Sequence, residues 1–153
     1  MLYKSVLFLA PLLAVSFACS CLPTTQKRAF ERANIVAHVT IVSKVNKTET
    51  SREYQIQYNE TFKPKFPKNP RVIIPIPLPG SITTAKDSAA CGVSGIHVGK
   101  EYLISGQRQN NTVFVSLCSG ISPNDDQPSS SPGAYPWSQV TPELLQKLRN
   151  KFQ

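Results

Sequence analysis

The chain has 153 residues, 41% of them hydrophobic, with 17 Lys+Arg against 9 Asp+Glu and a formal net charge of +8. That length suits one compact domain with its own core. The basic residues are dispersed along the sequence, which argues against a dedicated nucleic-acid surface and leaves only a weak attraction to acidic matrix glycans.

Residues 1–18 read as a secretory signal. Lys4 supplies the positive start, Val6 to Phe17 is almost wholly apolar, and Ser16 and Ala18 are the small residues of a cleavage site. The apolar run falls short of the ~20 residues that span a bilayer, which argues against an uncleaved anchor. Ser16-Phe17-Ala18 also lacks the aliphatic residue that a bacterial lipoprotein signal carries three places before its cysteine. Cleavage after Ala18 makes Cys19 the first mature residue and 19–153 the mature domain. With no later apolar span, the product is expected to be exported and soluble, without membrane insertion.

Cys19-Ser20-Cys21 then opens the mature protein. A terminal cysteine sets its free α-amine beside its own carbonyl oxygen. Such a pair can grip a metal ion held by another protein, which an internal C-x-C cannot do. Thr24 to Arg32 reads as a short helix capped by Thr24 or Thr25 and anchored by Phe30. Ile35 to Val42 is rich in β-branched residues and reads as a strand buried on both faces. Glu53 to Tyr58 alternates, with Tyr54, Ile56 and Tyr58 on one face and Gln55 and Gln57 on the other, the pattern of a half-buried strand. Lys63 to Pro70 carries a proline at every third position and reads as an extended loop. Val72 to Leu78 is strand-like, but Pro75 and Pro77 confine it to an edge.

Glu101 to Ser105 and Thr112 to Cys118 read as strands joined by a turn at Gln109-Asn110-Asn111, with Val113, Val115 and Leu117 sharing a face. Ser122 to Pro136 is polar, rich in Ser and Pro, and reads as a loop. Thr141-Pro142 opens a helix with cap and first-turn proline in order. Leu144, Leu145, Leu148 and Phe152 form its apolar stripe, and Lys147, Arg149 and Lys151 suit its C-terminal dipole. The sum is a mainly β domain with about five strands and a short helix near each end, best matched by an OB-like barrel.

The four cysteines, Cys19, Cys21, Cys91 and Cys118, are an even set in an exported protein and imply two disulfides. Of the three pairings, Cys19–Cys21 is a strained small ring. Either of the others staples the N-terminus to distant segments and is worth about 4–5 kcal/mol per bridge in the loop-entropy account. A resident zinc site fits poorly, because His38 and His97 are the only histidines and no C-x-x-C pair accompanies them. Asn46, Asn59 and Asn110 head N-x-[ST] sequons and are candidate glycan sites. No nucleophile–base pair, paired carboxylate site or glycine-rich phosphate loop stands out, so an enzyme is not expected.

Cys19-Ser20-Cys21-Leu22-Pro23, Ala29-Phe30, Cys91-Gly92, Cys118-Ser119 and Pro136-Trp137-Ser138 together resemble the tissue inhibitors of metalloproteinases. The likeness covers the mature protein and corresponds to that family's N-terminal domain, an OB-fold module of the netrin-like class. It implies disulfides Cys19–Cys91 and Cys21–Cys118. It further implies that the Cys19 amine and carbonyl bind the catalytic zinc of a target protease, so the only metal involved comes from the partner. Ser20 would enter the specificity pocket, with Leu22 and Pro23 continuing along the cleft. Ser88, Ala89 and Ala90 would fill the other side of the cleft, and Val93 would extend that ridge. Expected partners are secreted or membrane-anchored zinc metalloproteases of the matrix type, bound one to one by a monomer in the extracellular space or matrix. The alternative reading is a non-inhibitory netrin-like module that contacts matrix or its glycans. This sequence departs from the family at Glu31, where a cysteine of a third disulfide is expected. The cysteine-rich C-terminal domain is also not expected here, and the proline-rich stretch Lys63–Pro79 fits the pattern poorly.

Overall fold

The computed structural model describes residues 19–45, 48–64, 77–124 and 131–152. Residues 1–18, where a signal is expected, Asn46, residues 65–76 and residues 125–130 lie outside the described residues. The elements run α1 (Gln26–Arg32), β1 (Ile35–Val45), β2 (Ser51–Lys63), β3 (Ser81–Ala85), a 3-10 turn (Ser88–Ala90), β4 (Glu101–Gln109), β5 (Thr112–Phe114), β6 (Ala134–Pro136), a second 3-10 turn (Trp137–Gln139) and α2 (Pro142–Arg149). None of the described helices is long and apolar enough to cross a membrane.

Five strands close a ring in the order β1-β2-β3-β5-β4, with β4 returning to β1 and β6 lying on the other edge of β4. All pairings are antiparallel except β3 with β5. This is the five-stranded OB-like barrel expected from the sequence, with one added short strand. Bulges at Val36/Ala37, His38/Val39 and Ile41/Ser43 bend β1 around the barrel. At Gly106, β4 passes from its pairing with β1 to its pairing with β5, and a Cβ there would collide with the Phe114 carbonyl.

The barrel packs two cores from one set of strands. Ile35, Ala37, Val39 and Ile41 of β1 point inward with Tyr54, Ile82, Ile104, Val113 and Val115. The intervening Val36, with Leu103 of β4 and Phe62 of β2, faces outward beneath α1 and α2 and meets Phe30, Leu144 and Leu148. The expected burial of β1 on both faces holds only at its start: beyond Ala37 the outward side carries the half-buried His38 and Thr40 and then Val42, 53% exposed. Each fully buried Ile or Leu is worth about 1.5–3 kcal/mol in removed apolar surface.

Both helices start where the sequence places them. The Arg28 N–H donates to Thr25 Oγ1 at 3.3 Å and the Leu144 N–H donates to Thr141 Oγ1 at 3.2 Å. Phe30 of α1 and Phe152, just after α2, pack ring to ring at 5.2 Å. β2 keeps the expected alternation, with Tyr54 buried and Gln55 and Gln57 exposed.

Other expectations are corrected. The strand expected over Val72–Leu78 lies, except for Pro77 and Leu78, outside the described residues, and a strand not expected from the sequence, Ser81–Ala85, pairs with β2. β5 ends at Phe114 rather than Cys118, because Ser119 Oγ takes the Ser116 N–H at 3.0 Å and turns the backbone. The loop expected over Ser122–Pro136 contains β6.

Candidate functional site

Two disulfides hold the N-terminal segment against the barrel. Cys19 pairs with Cys91 across a sequence separation of 72, and Cys21 pairs with Cys118 across 97. This is the pairing that the family resemblance implies, and no described cysteine is free. The two bridges touch, with Cys19 Sγ 3.6 Å from Cys118 Sγ. The sulfurs of Cys19, Cys21 and Cys118 lie within 4.8 Å of one another, yet all three are consumed in bridges and offer no thiolate to a metal.

The scaffold behind Cys91 is built by β3 and the turn after it. Cys91 adopts φ 60° at the end of the Ser88–Ala90 turn and donates its N–H to the Ser88 carbonyl at 3.0 Å. The Gly92 N–H donates to the Asp87 carbonyl at 2.9 Å. A Cβ on Gly92 would strike the Ala85 carbonyl and sit 2.9 Å from that of Asp87, so only glycine allows the turn to fold this tightly onto β3. The Leu117 N–H donates to the Cys91 carbonyl at 2.9 Å, tying the two cystine-bearing segments together.

This framework brings most of the expected residues to one place. Ser20, Leu22 and Pro23 are exposed on the N-terminal segment, with Leu22 at 82% the most exposed large hydrophobic described. Ser88, Ala89 and Ala90 are exposed on the turn that the Cys19–Cys91 bridge sets beside them. The resulting ridge has no charged side chain among these six positions. Val93 does not join it. Its side chain is 2% exposed inside the barrel, and its N–H donates to Thr84 Oγ1 at 2.8 Å. Proximity in sequence to Cys91 suggested the ridge, but Gly92 turns the backbone inward between them.

The histidines are surface and structural residues. His38 stacks on Trp137 at 3.6 Å and meets Glu101 at 3.0 Å, while His97 lies exposed in a turn. Asn110 is exposed in the β4–β5 turn at φ 53°. Asn59 is exposed on β2, where its amide donates to Thr40 Oγ1 at 2.9 Å. Sequence reasoning missed the polar clamps on α1. The buried Gln26 donates to the Ser122 carbonyl at 2.8 Å, and Lys63 Nζ donates to the carbonyls of Phe30 and Glu31 at 3.1 and 2.8 Å.

Fold and site together define a small disulfide-stapled OB-type module that presents its N-terminal segment on a rigid, uncharged ridge. A sequence profile described as tissue inhibitor of metalloproteinase matches residues 17–131, and the chain belongs to that family. The Caenorhabditis elegans protein named "Putative metalloproteinase inhibitor tag-225" is 31% identical over 153 aligned residues, covering 93% of this chain and 91% of its own length. Human "Metalloproteinase inhibitor 2" is 37% identical over 156 aligned residues, covering 97% of this chain. This chain spans 62% of the human protein's length. Drosophila melanogaster "Tissue inhibitor of metalloproteinase" is 26% identical over 103 aligned residues, covering 67% of this chain and 44% of its own length.

Proposed function

We propose that the protein is an exported inhibitor of zinc metalloendopeptidases that acts through its mature N-terminus at Cys19. The observation that carries this reading is the pinned ridge: two touching disulfides fix Cys19 and Cys21 while Ser20 and Leu22 project beside them. A catalytic zinc keeps three protein ligands and an exchangeable water. Once the signal is removed, the Cys19 α-amine and carbonyl oxygen offer a five-membered chelate that displaces that water. An α-amine with a pKa of about 8 gives up its proton readily when a metal competes for the lone pair. The bridge removes the fraying of a free terminus, so little ordering entropy is lost on binding.

In this reading Ser20 enters the pocket next to the zinc, and its small hydroxyl fits pockets of several sizes. Leu22 and Pro23 run along one side of the cleft, and Ser88, Ala89 and Ala90 occupy the other. The protein brings no cofactor of its own, since the zinc is the protease's. The names of the relatives, each a metalloproteinase inhibitor, support the same partner class.

The test is the terminus itself. Mass spectrometry of the secreted protein should report Cys19 as the first residue with a free amine. One alanine placed ahead of Cys19 should abolish inhibition of a matrix-type protease panel while leaving the fold intact. Full inhibition by that extended variant would refute zinc chelation. Absence of inhibition by the correctly processed protein would favour a netrin-like module without inhibitory activity.

A further inference from the structure

The sequons at Asn59 and Asn110 both lie among the described residues, and the fold treats them differently. Asn59 is committed within β2. Its amide nitrogen donates to Thr40 Oγ1 at 2.9 Å and lies 3.3 Å from His38 Nε2. A glycan replaces one of that nitrogen's two hydrogens, so it would compete with these contacts. Asn110 stands in the two-residue turn between Gln109 and Thr112, at φ 53°. Asparagine is among the few residues that accept this left-handed backbone readily. The Arg108 Nε–H donates to the Asn110 backbone carbonyl at 3.3 Å, while the exposed Asn110 side-chain amide makes no hydrogen bond among the described residues. Asn110 also lines an open groove of about 350 Å³. That is far more than the ~10–15 Å³ that admits one water, so a sugar ring has room. The exposed Gln55 and Gln109 flank the groove, and Ser81, which donates to Glu53 at 2.6 Å, adds to its polar lining. Its wall at Gly80 is bare backbone, where a Cβ would approach only Gln55 Oε1, at 4.0 Å.

We infer that Asn110 carries an N-linked glycan whose first N-acetylglucosamine rests in this groove. The inference rests on the proposed export of the protein. In the transfer, the Asn110 amide nitrogen bonds to the anomeric carbon of a lipid-diphosphate-linked oligosaccharide. The bond from that carbon to the diphosphate oxygen breaks, the lipid diphosphate leaves, and the amide gives up one proton. In the fold, the Thr112 hydroxyl of the sequon is engaged by Thr83 Oγ1 at 2.8 Å and the Ser81 carbonyl at 3.2 Å. Transfer therefore precedes the docking of β5 on β3. Once attached, the sugar is tethered over side-chain amides that both donate and accept, so a few weak hydrogen bonds suffice to seat it. The position also spares the ridge. β3 and β5 run parallel from Ser81 beside Thr112, and their far ends lead to the Ser88–Ala90 turn and to Cys118. Asn110 lies at the other end of these strands, about 13 Å back along β3 at ~3.3 Å per residue.

The experiment expresses the full chain in animal cells that build only oligomannose glycans, beside residues 19–153 behind an unrelated leader. Glycopeptide mass spectrometry of the exported protein should find sugar on Asn110. Asn110→Asp keeps the size of the side chain and its tolerance of the left-handed backbone, and should remove that glycan. Asn59→Asp should leave it in place. Exported protein with a bare Asn110, from either leader, would overturn the inference. Export of the leader-borne copy alone would refute the chain's own signal instead, and its Asn110 would still be read. An endoglycosidase that leaves only the first sugar should preserve the unfolding midpoint of the intact glycoprotein. An amidase that removes the whole glycan should lower it by about 2–5 °C, the worth of one hydrogen bond in a domain of this size. Gln55→Ala with Gln109→Ala should abolish that drop. Equal midpoints for trimmed and sugar-free protein, or a drop that persists in the double variant, would overturn the seating of the sugar. Amidase treatment should leave protease inhibition unchanged, and an altered inhibition constant would contradict the placement away from the ridge.

Discussion

The proposed function requires that the terminus be held, and a matched pair of double variants separates holding from folding. Cys19→Ala with Cys91→Ala removes the first bridge yet keeps an α-amine and carbonyl at position 19 and leaves no free thiol. Cys21→Ala with Cys118→Ala removes the second bridge and leaves Cys19 tied to Cys91. Alone, either bridge closes a loop of 72 or 97 residues, worth about 4.5 kcal/mol by loop entropy. With the other bridge intact, each closes only the detour through Cys19–Cys21 and Cys91–Cys118, roughly 30 residues, worth about 3.5 kcal/mol. The two variants should therefore lose the same stability, readable from urea unfolding, and both should remain folded if the domain lies in the middle of the usual 5–15 kcal/mol range.

Inhibition should divide them. Without the first bridge, residues 19 and 20 are free until Cys21, and ordering two residues costs about 2–4 kcal/mol. That is roughly a 30- to 1,000-fold rise in the inhibition constant. Without the second bridge position 19 stays anchored, and the rise should be below about tenfold, under 1.4 kcal/mol. The assay is a fluorogenic-peptide titration of a matrix-type protease with both variants. Equal loss in the two, at equal stability, would refute the claim that pinning position 19 pre-orders the chelate.

Gly92→Ala should cost roughly 1–3 kcal/mol by forcing the Ser88–Cys91 turn off the Ala85 and Asp87 carbonyls, with a parallel loss of inhibition; a urea midpoint equal to wild type would contradict the packing. Ser20→Gly should shift selectivity among metalloproteases more than it shifts unfolding, and unchanged inhibition constants across a panel would count against a pocket role. The Glu60 carboxyl is held below its ordinary value by its hydrogen bond to Arg149 and the adjacent positive charge. A depressed carboxylate stabilises the fold above its unfolded pKa of about 4.3, and that contribution is lost as pH falls through the folded value. Glu60→Gln should accordingly flatten the acid limb of a stability–pH curve below about pH 4, and an unaltered limb would exclude the pair as a contributor.

What could be read from the sequence was whatever had a local signal. β1 showed itself because it is rich in β-branched residues and its inward face is apolar throughout, and α2 because Thr141-Pro142 caps a clear stripe. β3 was missed because Ser81-Ile82-Thr83-Thr84-Ala85 has one large apolar residue, although Gly80 before it and the two threonines were a usable β signal. β6 had no such signal, since Ala134–Pro136 becomes a strand only by lying on β4. The ridge was legible from Cys19-Ser20-Cys21 behind an expected cleavage point, yet spacing alone left two cystine pairings open, and only the family resemblance chose between them. Val93 was misplaced because sequence distance from Cys91 says nothing of the reversal at Gly92. The polar clamps on α1 were invisible for a related reason: Lys63 and Lys147 meet α1 through contacts made across the fold.

Those long-range bonds also bear on the departure at Glu31. A third crosslink is expected there, and without it α1 could detach from the barrel and carry the Cys21–Thr25 segment with it. Polar contacts hold the helix at both ends instead. At its start, Gln26 is 3% exposed, gives its amide hydrogens to the Ser122 and Pro123 carbonyls, and takes one from Lys147. At its end, the Lys63 ammonium satisfies two carbonyls that would otherwise face solvent. Bonds of this kind are worth about 1–3 kcal/mol each when one partner is charged, so two such clamps approach the value of one bridge. They act on the folded state alone, however, and cannot restrict the unfolded polypeptide as a crosslink does. The covalent fixing of the ridge therefore falls entirely on Cys19–Cys91 and Cys21–Cys118, while α1 itself is secured by the polar contacts of Gln26 and Lys63.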